Sequence, residues 1–318
     1  MRRALLIAAL IVAWVGCAGP AGDDGAGLGE TCDLKTKCAT GGVCDYTLAA
    51  PICIDANADT DGDGLINAID HCPDGPGGMF DEDQDGIGDD CDKCPIAKPP
   101  AVPDRDGDDV DSPCDPDPDT AGDEILLFDG FNGAALGSNW MPDATSAGAW
   151  TVEGGELVVR LPTQTDQAYL TTTVISDPNV AVETSYRVDK VETGSPLHSV
   201  TTLAEDTRPA GVAQFECGAV KSDTGTSGEV VDLNTDKANV SNPSIVPAFN
   251  SASLYRSAAY ASGSTVECVV IGDNMQLAAM QSSITPDALG TVRLSARSVT
   301  ARYQWVLVIG RSNTPPPP

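Results

Sequence analysis

Residues 59–74 read DTDGDGLINAIDHCPD. Asp59, Asp61, Asp63 and Asp70 occupy positions 1, 3, 5 and 12 of the run, Asn67 stands at position 9, and His71-Cys72-Pro73 closes it. The segment has almost nothing with which to build an apolar core. Yet the same phase returns twice. Asp81, Asp83, Asp85, Asp89 and Asp92 repeat positions 1, 3, 5, 9 and 12; Asp104, Asp106, Asp108 and Asp115 repeat all but position 9, where Ser112 stands. Position 7 is aliphatic in each copy (Leu65, Ile87, Val110), and position 6 is Gly64, Gly86 and then Asp109.

A solvated acidic linker has no reason to keep this phase. A cation site does. Calcium takes about six to eight oxygens at roughly 2.3–2.6 Å. In a tightly curled loop, positions 1, 3 and 5 converge on one ion, and the carbonyl of position 7 adds an oxygen while its side chain packs outward. Gly at position 6 permits the sharp turn, and positions 9 and 12 close the shell. Every donor is a hard oxygen, which selects Ca²⁺ over Zn²⁺ or Cu²⁺. The expected ligands are therefore Asp59, Asp61, Asp63, Leu65, Asn67 and Asp70; Asp81, Asp83, Asp85, Ile87, Asp89 and Asp92; and Asp104, Asp106, Asp108, Val110, Ser112 and Asp115. The third loop departs most from the pattern and is expected to hold its ion more weakly or not at all. Ions in this reading replace the missing core, because crowded carboxylates cannot stay compact alone.

Composition agrees. Asp and Glu outnumber Lys and Arg 47 to 18, a net charge of −29 over 318 residues. Nucleic acid would be repelled, so no nucleic-acid partner is expected. Eleven cysteines and two histidines argue for an oxidising compartment and against a His-rich zinc centre. Met1-Arg2-Arg3 and the apolar run at residues 4–15 make a leader too short to span a bilayer comfortably. Gly16-Cys17-Ala18 follows and resembles a bacterial lipobox, although Trp14 stands where Leu is usual. That resemblance implies lipidation at Cys17 and a place at the outer membrane or cell surface; cleavage after Ala18 implies a secreted protein instead.

The chain divides into a leader (1–17), a Gly- and Asp-rich tether (18–30), a small cysteine-rich module (31–54), the acidic repeats (59–119), a strand-rich region (124–312) and a proline tail (313–318). Cys32, Cys38, Cys44 and Cys53 must hold the small module by disulfides, in any of three pairings. The acidic loops with their Cys-Pro and Cys-Asp-Lys-Cys-Pro endings resemble thrombospondin type 3 repeats; a dockerin or EF-hand would need helices after the loop. This resemblance implies calcium wrapped by chain, with Cys72 bridged to Cys91 and Cys94 to Cys114.

From residue 125 onward, Val/Thr/Ser-rich runs such as VAVETSYRVDKV (180–191) alternate with Gly, Asn, Asp and Pro. This spacing predicts an antiparallel β-sandwich, so the fold class is mainly β. FDGFNGAALGSNWM (128–141), AWTVEGGELVV (149–159) and ARYQWVLVIG (301–310) resemble concanavalin-A-like, laminin-G-like jelly rolls. Strand alternation puts Tyr303, Trp305, Leu307 and Ile309 on one face, read as core. Trp140 and Trp150 are read as packing residues, His198 as exposed, and Cys217 and Cys268 as a bridge between two strands. No Glu-x-Asp-x-Glu run or Gly-x-Ser-x-Gly elbow marks a catalytic centre, and no catalytic residue is assigned. The expectation is a calcium-loaded stalk presenting a jelly-roll head that binds a glycan or a protein. Alternatives are a carbohydrate-active hydrolase with a nonstandard site and a structural spacer.

Overall fold

The computed structural model describes residues 25–98, 104–161, 167–172, 180–192, 195, 197–205, 214–222, 229–235, 239–242, 249, 253–262, 265–272, 275–282 and 291–311. The leader, Cys17, most of the tether and the proline tail lie outside the described residues.

The small module is a hairpin of β1 (Gly42–Asp45) and β2 (Ile52–Asp55). Its disulfides are Cys32–Cys44 and Cys38–Cys53, which settles the pairing left open by spacing. With so few residues to bury, these two bridges stand where a core would. The described residues from 56 to 122 form no strand or helix. Cys72–Cys91 and Cys94–Cys114 staple that segment.

The rest is strand: β3 (Asp123–Asp129), β4 (Trp140–Pro142), β5 (Trp150–Val152), β6 (Leu157–Arg160), β7 (Gln167–Thr172), β8 (Val180–Val191), β9 (Leu197–Glu205) and β10 (Gln214–Ser222). Then come β11 (Glu229–Thr235), β12 (Asn239–Asn242), β13 (Tyr255–Ser262), β14 (Thr265–Gly272), β15 (Met275–Ser282), β16 (Thr291–Arg297) and β17 (Val299–Arg311). A seven-stranded sheet runs β12-β11-β10-β9-β16-β7-β4, and an eight-stranded sheet runs β15-β14-β13-β8-β17-β6-β5 with β3 also on β17. Every pairing among these strands is antiparallel, and the two sheets form a jelly-roll-type β-sandwich. Between the sheets lie Trp140, Trp150, Leu157, Leu170, Tyr186, Leu294 and Tyr303 with the β-branched residues around them. Cys217 on β10 bridges to Cys268 on β14, joining one sheet to the other.

Two expectations are corrected by the fold. Tyr303 does face the core, but Trp305, Leu307 and Ile309 do not. The register of β17 against β8 shifts between Tyr303 and Trp305, so the parity of the strand flips there. Beyond the shift Val306 and Val308 point inward, while Leu307 and Ile309 point to the sheet's outer face. His198 is not exposed but fully buried, its Nδ1 3.0 Å from the Ser298 carbonyl. It stands two residues before Val200 of the inter-sheet core, so strand alternation turns the ring to the same inner face.

The outer face carrying Leu307 and Ile309 is covered by the acidic segment. Cys94, Val110 and Cys114 pack on Ala181, Leu307 and Ile309, with Ile96, Ala97, Phe128 and Trp305 around them. Val110 is the aliphatic residue of position 7 in the third loop, and it is 1% exposed. A second tie lies nearby, where Asn132 Nδ2 donates to Glu82 Oε1 at 2.6 Å. The repeats and the sandwich thus share a buried apolar junction.

Candidate metal centre

Each loop is curled by its own first carboxylate. Asp59 accepts the N–H groups of Gly62 and Gly64 at 2.7 and 3.1 Å. Asp81 takes those of Gln84 and Gly86 at 2.7 and 2.9 Å, and Asp104 those of Gly107 and Asp109 at 2.7 and 3.1 Å. Positions 4 and 6 are left-handed in all three loops: Gly62 and Gly64, Gln84 and Gly86, Gly107 and Asp109. The third loop therefore keeps the turn although Asp109 replaces Gly, at φ 74°. Asp is among the few side chains that tolerate this conformation.

Positions 3, 5 and 12, Asp106 apart, then make short turns that consume one oxygen each. Asp61 and Asp83 take the N–H two residues on at 3.0 Å, and Asp63, Asp85 and Asp108 do the same at 2.8, 2.8 and 3.0 Å. At position 12, Asp70 takes the N–H of Cys72, Asp92 that of Cys94 and Asp115 that of Asp117, at 2.8, 2.8 and 2.7 Å. That turn explains why a cysteine follows position 12 by two residues in the first two loops.

The second oxygens are what matter chemically. The Oδ2 atoms of Asp61, Asp70, Asp83, Asp85 and Asp115, both oxygens of Asp106 and Oδ1 of Asp111 are buried without a hydrogen-bond partner. Carboxylate oxygens of Asp59, Asp61 and Asp63 lie within 4.8 Å of one another, as do those of Asp81, Asp83 and Asp85 and those of Asp104, Asp106 and Asp108. A further trio at the same spacing joins Asp108 and Asp115 to Asp123, the first residue of β3. Burial, reinforced by the neighbouring carboxylates, pushes Asp83 up to about 6 and Asp92 and Asp115 up to about 7. Buried anions this close cost several kcal/mol in an environment of intermediate dielectric (about 4 kcal/mol per pair at 4 Å) unless a cation or a proton intervenes. The donors are all hard oxygens, the set that calcium accepts, so the residues present fit that ion.

Position 9 makes hydrogen bonds across the loop in the first two copies. Asn67 Oδ1 accepts from Thr60 N and Oγ1 at 3.3 and 3.0 Å, and its Nδ2 donates to Asp55 O at 2.8 Å. Asp89 likewise takes Glu82 N at 2.9 Å. Beside the third loop, Asp123 stands with Asp108 and Asp115. Asp123 and Asp111 were missed from sequence. Asp111 sits at position 8 of the third loop, yet its charge bears on Asp92 of the second.

The sandwich carboxylates are engaged elsewhere. Glu153 pairs with Arg160 at 2.6 Å, and Glu156 with Arg187 and Arg302 at 2.9 and 3.2 Å. Glu183, 4% exposed, accepts from Arg256 and, at 2.5 Å, from the Tyr260 hydroxyl. These contacts brace the eight-stranded sheet.

No family model matches the sequence. No curated protein matches it either. Among solved structures it is similar to the Lotus tetragonolobus seed lectin, at 8% identity over 56% of this chain and 96% of that one, with a TM-score of 0.44. Bacillus licheniformis β-glucanase matches at 12% identity over 59% and 98%, TM-score 0.42. Porphyranase B from Zobellia galactanivorans matches at 10% over 59% and 92%, TM-score 0.44. Five disulfides are the pattern of a chain folded in an oxidising compartment, and no helix of the described residues is long and apolar enough to cross a membrane.

Proposed function

We propose that this is an exported calcium-binding surface protein, anchored through lipid on Cys17, whose calcium-loaded repeats carry a β-sandwich that binds a glycan or a protein. One observation carries the calcium reading: carboxylate oxygens converge in every loop, and several of them are buried without a partner. Buried polar groups in folded proteins are otherwise satisfied, and an all-oxygen set of this charge answers to Ca²⁺. Asp59, Asp61, Asp63 and Asp70 would hold the first ion, Asp81, Asp83, Asp85 and Asp92 the second, and Asp104, Asp106 and Asp108 the third, with Asp115 and Asp123 beside it. In the first and third loops position 5 also binds the backbone beyond its loop, so ion binding is coupled to folding of the segment. Asp63 Oδ2 accepts Gly77 N at 2.9 Å, and Asp108 Oδ2 accepts Gly122 N and Asp123 N at 3.0 and 2.8 Å.

Calorimetric titration of the mature chain with CaCl₂, and scattering in calcium and in chelator, test this. At least three ions should bind and the chain should compact. No uptake at millimolar calcium, or an unchanged radius, overturns the reading. Mass spectrometry of the membrane form decides the anchor: a mature N-terminus at Gly19 without lipid mass leaves a secreted protein.

A further inference from the structure

Beside the third loop, where the repeats meet the eight-stranded sheet, lies a cavity of about 350 Å³. That is at the small end of ligand pockets, which run about 300–1,000 Å³. It is far larger than one ion requires, since even a water molecule's share of the liquid is about 30 Å³. Asp115 and Asp123 stand at one part of its wall, Glu267 and Tyr260 at another, and Ala181 and Ile309 supply apolar surface. Tyr260 and Glu267 are direct cross-strand partners on β13 and β14. The Tyr260 hydroxyl is committed to Glu183 Oε1 at 2.5 Å, so the ring rather than the hydroxyl is on offer.

A second observation points to an occupant. Asp115 is 7% exposed, and its Oδ2 has no hydrogen-bond partner. Among the described residues, no basic side chain lines the cavity. An anionic ligand would therefore find no basic side chain to pair with, and Glu267 would repel it. A purely apolar ligand would leave the Glu267 carboxylate desolvated and without a partner, which is unfavourable. The chemistry that satisfies the whole wall is a neutral polyol. Its hydroxyls donate to carboxylates and offer hard oxygens to a cation, and its C–H face lies on apolar side chains and an aromatic ring.

We propose that this junction cavity is a calcium-dependent site for a neutral sugar. The proposal rests on the calcium reading above and names the ligand class and the place.

The test uses the full mature chain. Neutral hexosides and the matching glucuronide are titrated and followed by saturation-transfer NMR, in calcium and in chelator, with Glu267→Gln and Glu267→Lys alongside. Calcium uptake and melting are measured on the same samples. A neutral hexoside should bind in calcium, and the glucuronide should bind at least tenfold more weakly. Chelator and Glu267→Lys should each weaken binding tenfold or more, while Glu267→Lys leaves calcium stoichiometry and melting unchanged. Glu267→Gln should weaken it less. If calcium binds but no neutral hexoside does, the cavity proposal is wrong and the calcium reading stands. The cavity proposal fails in the same way if a sugar binds equally well with Glu267→Lys or in chelator. If no calcium binds, the calcium reading fails and takes this proposal with it.

Discussion

Val110→Ala should destabilise the sandwich, although Val110 belongs to the repeats. The side chain is 1% exposed and packs against Ala181, Leu307 and Ile309 on the sheet's outer face. The substitution removes two methyl groups, each worth about 0.8 kcal/mol when buried. The void left behind adds to this, since disulfide-bound Cys94 and Cys114 cannot collapse into it. The expected cost is about 2 kcal/mol. The position 7 carbonyl is untouched, so ion binding should be unaffected. Tryptophan emission during urea unfolding in calcium is the assay. Once the leader with Trp14 is removed, Trp140, Trp150 and Trp305 are the tryptophans left, and all lie in strands of the sandwich. With a urea slope of about 2 kcal/mol/M the midpoint should fall by about 1 M. Ile309→Ala should cost about 2–5 kcal/mol, and the double variant less than the sum because the two side chains touch. An unmoved midpoint, or a sandwich transition indifferent to the fate of the repeats, would refute the shared junction. A sandwich expressed without residues 25–120 should for the same reason be less stable than the whole chain.

Calcium affinity should fall at least tenfold between pH 7.5 and pH 5.5. Asp83, at about 6, and Asp92 and Asp115, at about 7, hold protons in the ion-free fold that the unfolded chain has released above about pH 4. The ion-free chain therefore gains stability as pH falls through that window, and calcium must displace the protons; calorimetry in buffers of different ionisation enthalpy should show proton release on binding. Asp106→Asn, at a carboxylate with both oxygens buried and unpartnered, should weaken the third site at least tenfold and the first two no more than twofold, read from the same titrations. Gln84→Gly should raise the urea midpoint in calcium. The residue sits at φ 62°, a strain of about 1–2 kcal/mol against about 0.5–1 kcal/mol of added backbone entropy in the unfolded state, and a lowered midpoint would show that the strain is absent.

What the sequence made legible follows the range of each interaction. The turns at positions 1, 3, 5 and 12 have a local signature because each of these carboxylates but Asp106 takes a backbone N–H a few residues away. Position 9 also ties the loop across itself, Asn67 to Thr60 and Asp89 to Glu82, and no local spacing displays that. Asp123 arrives from the next structural unit, so no phase within the loop could announce it. The face of β17 was misread for a related reason: one register shift exchanges the two faces, and alternation assumes that none occurs. Yet the run itself held the correction. Trp305-Val306-Leu307-Val308-Ile309 has no polar residue on either parity. A strand with one wet face alternates, and an unbroken apolar run marks burial on both. Something had to cover the second face, and the acidic segment has few residues able to do so. Of its three position 7 residues, Val110 is the one that is fully buried. The third loop, most divergent in its ligands, is therefore the one whose apolar residue holds the sandwich, and its departures from the repeat are those of a loop fitted to a surface.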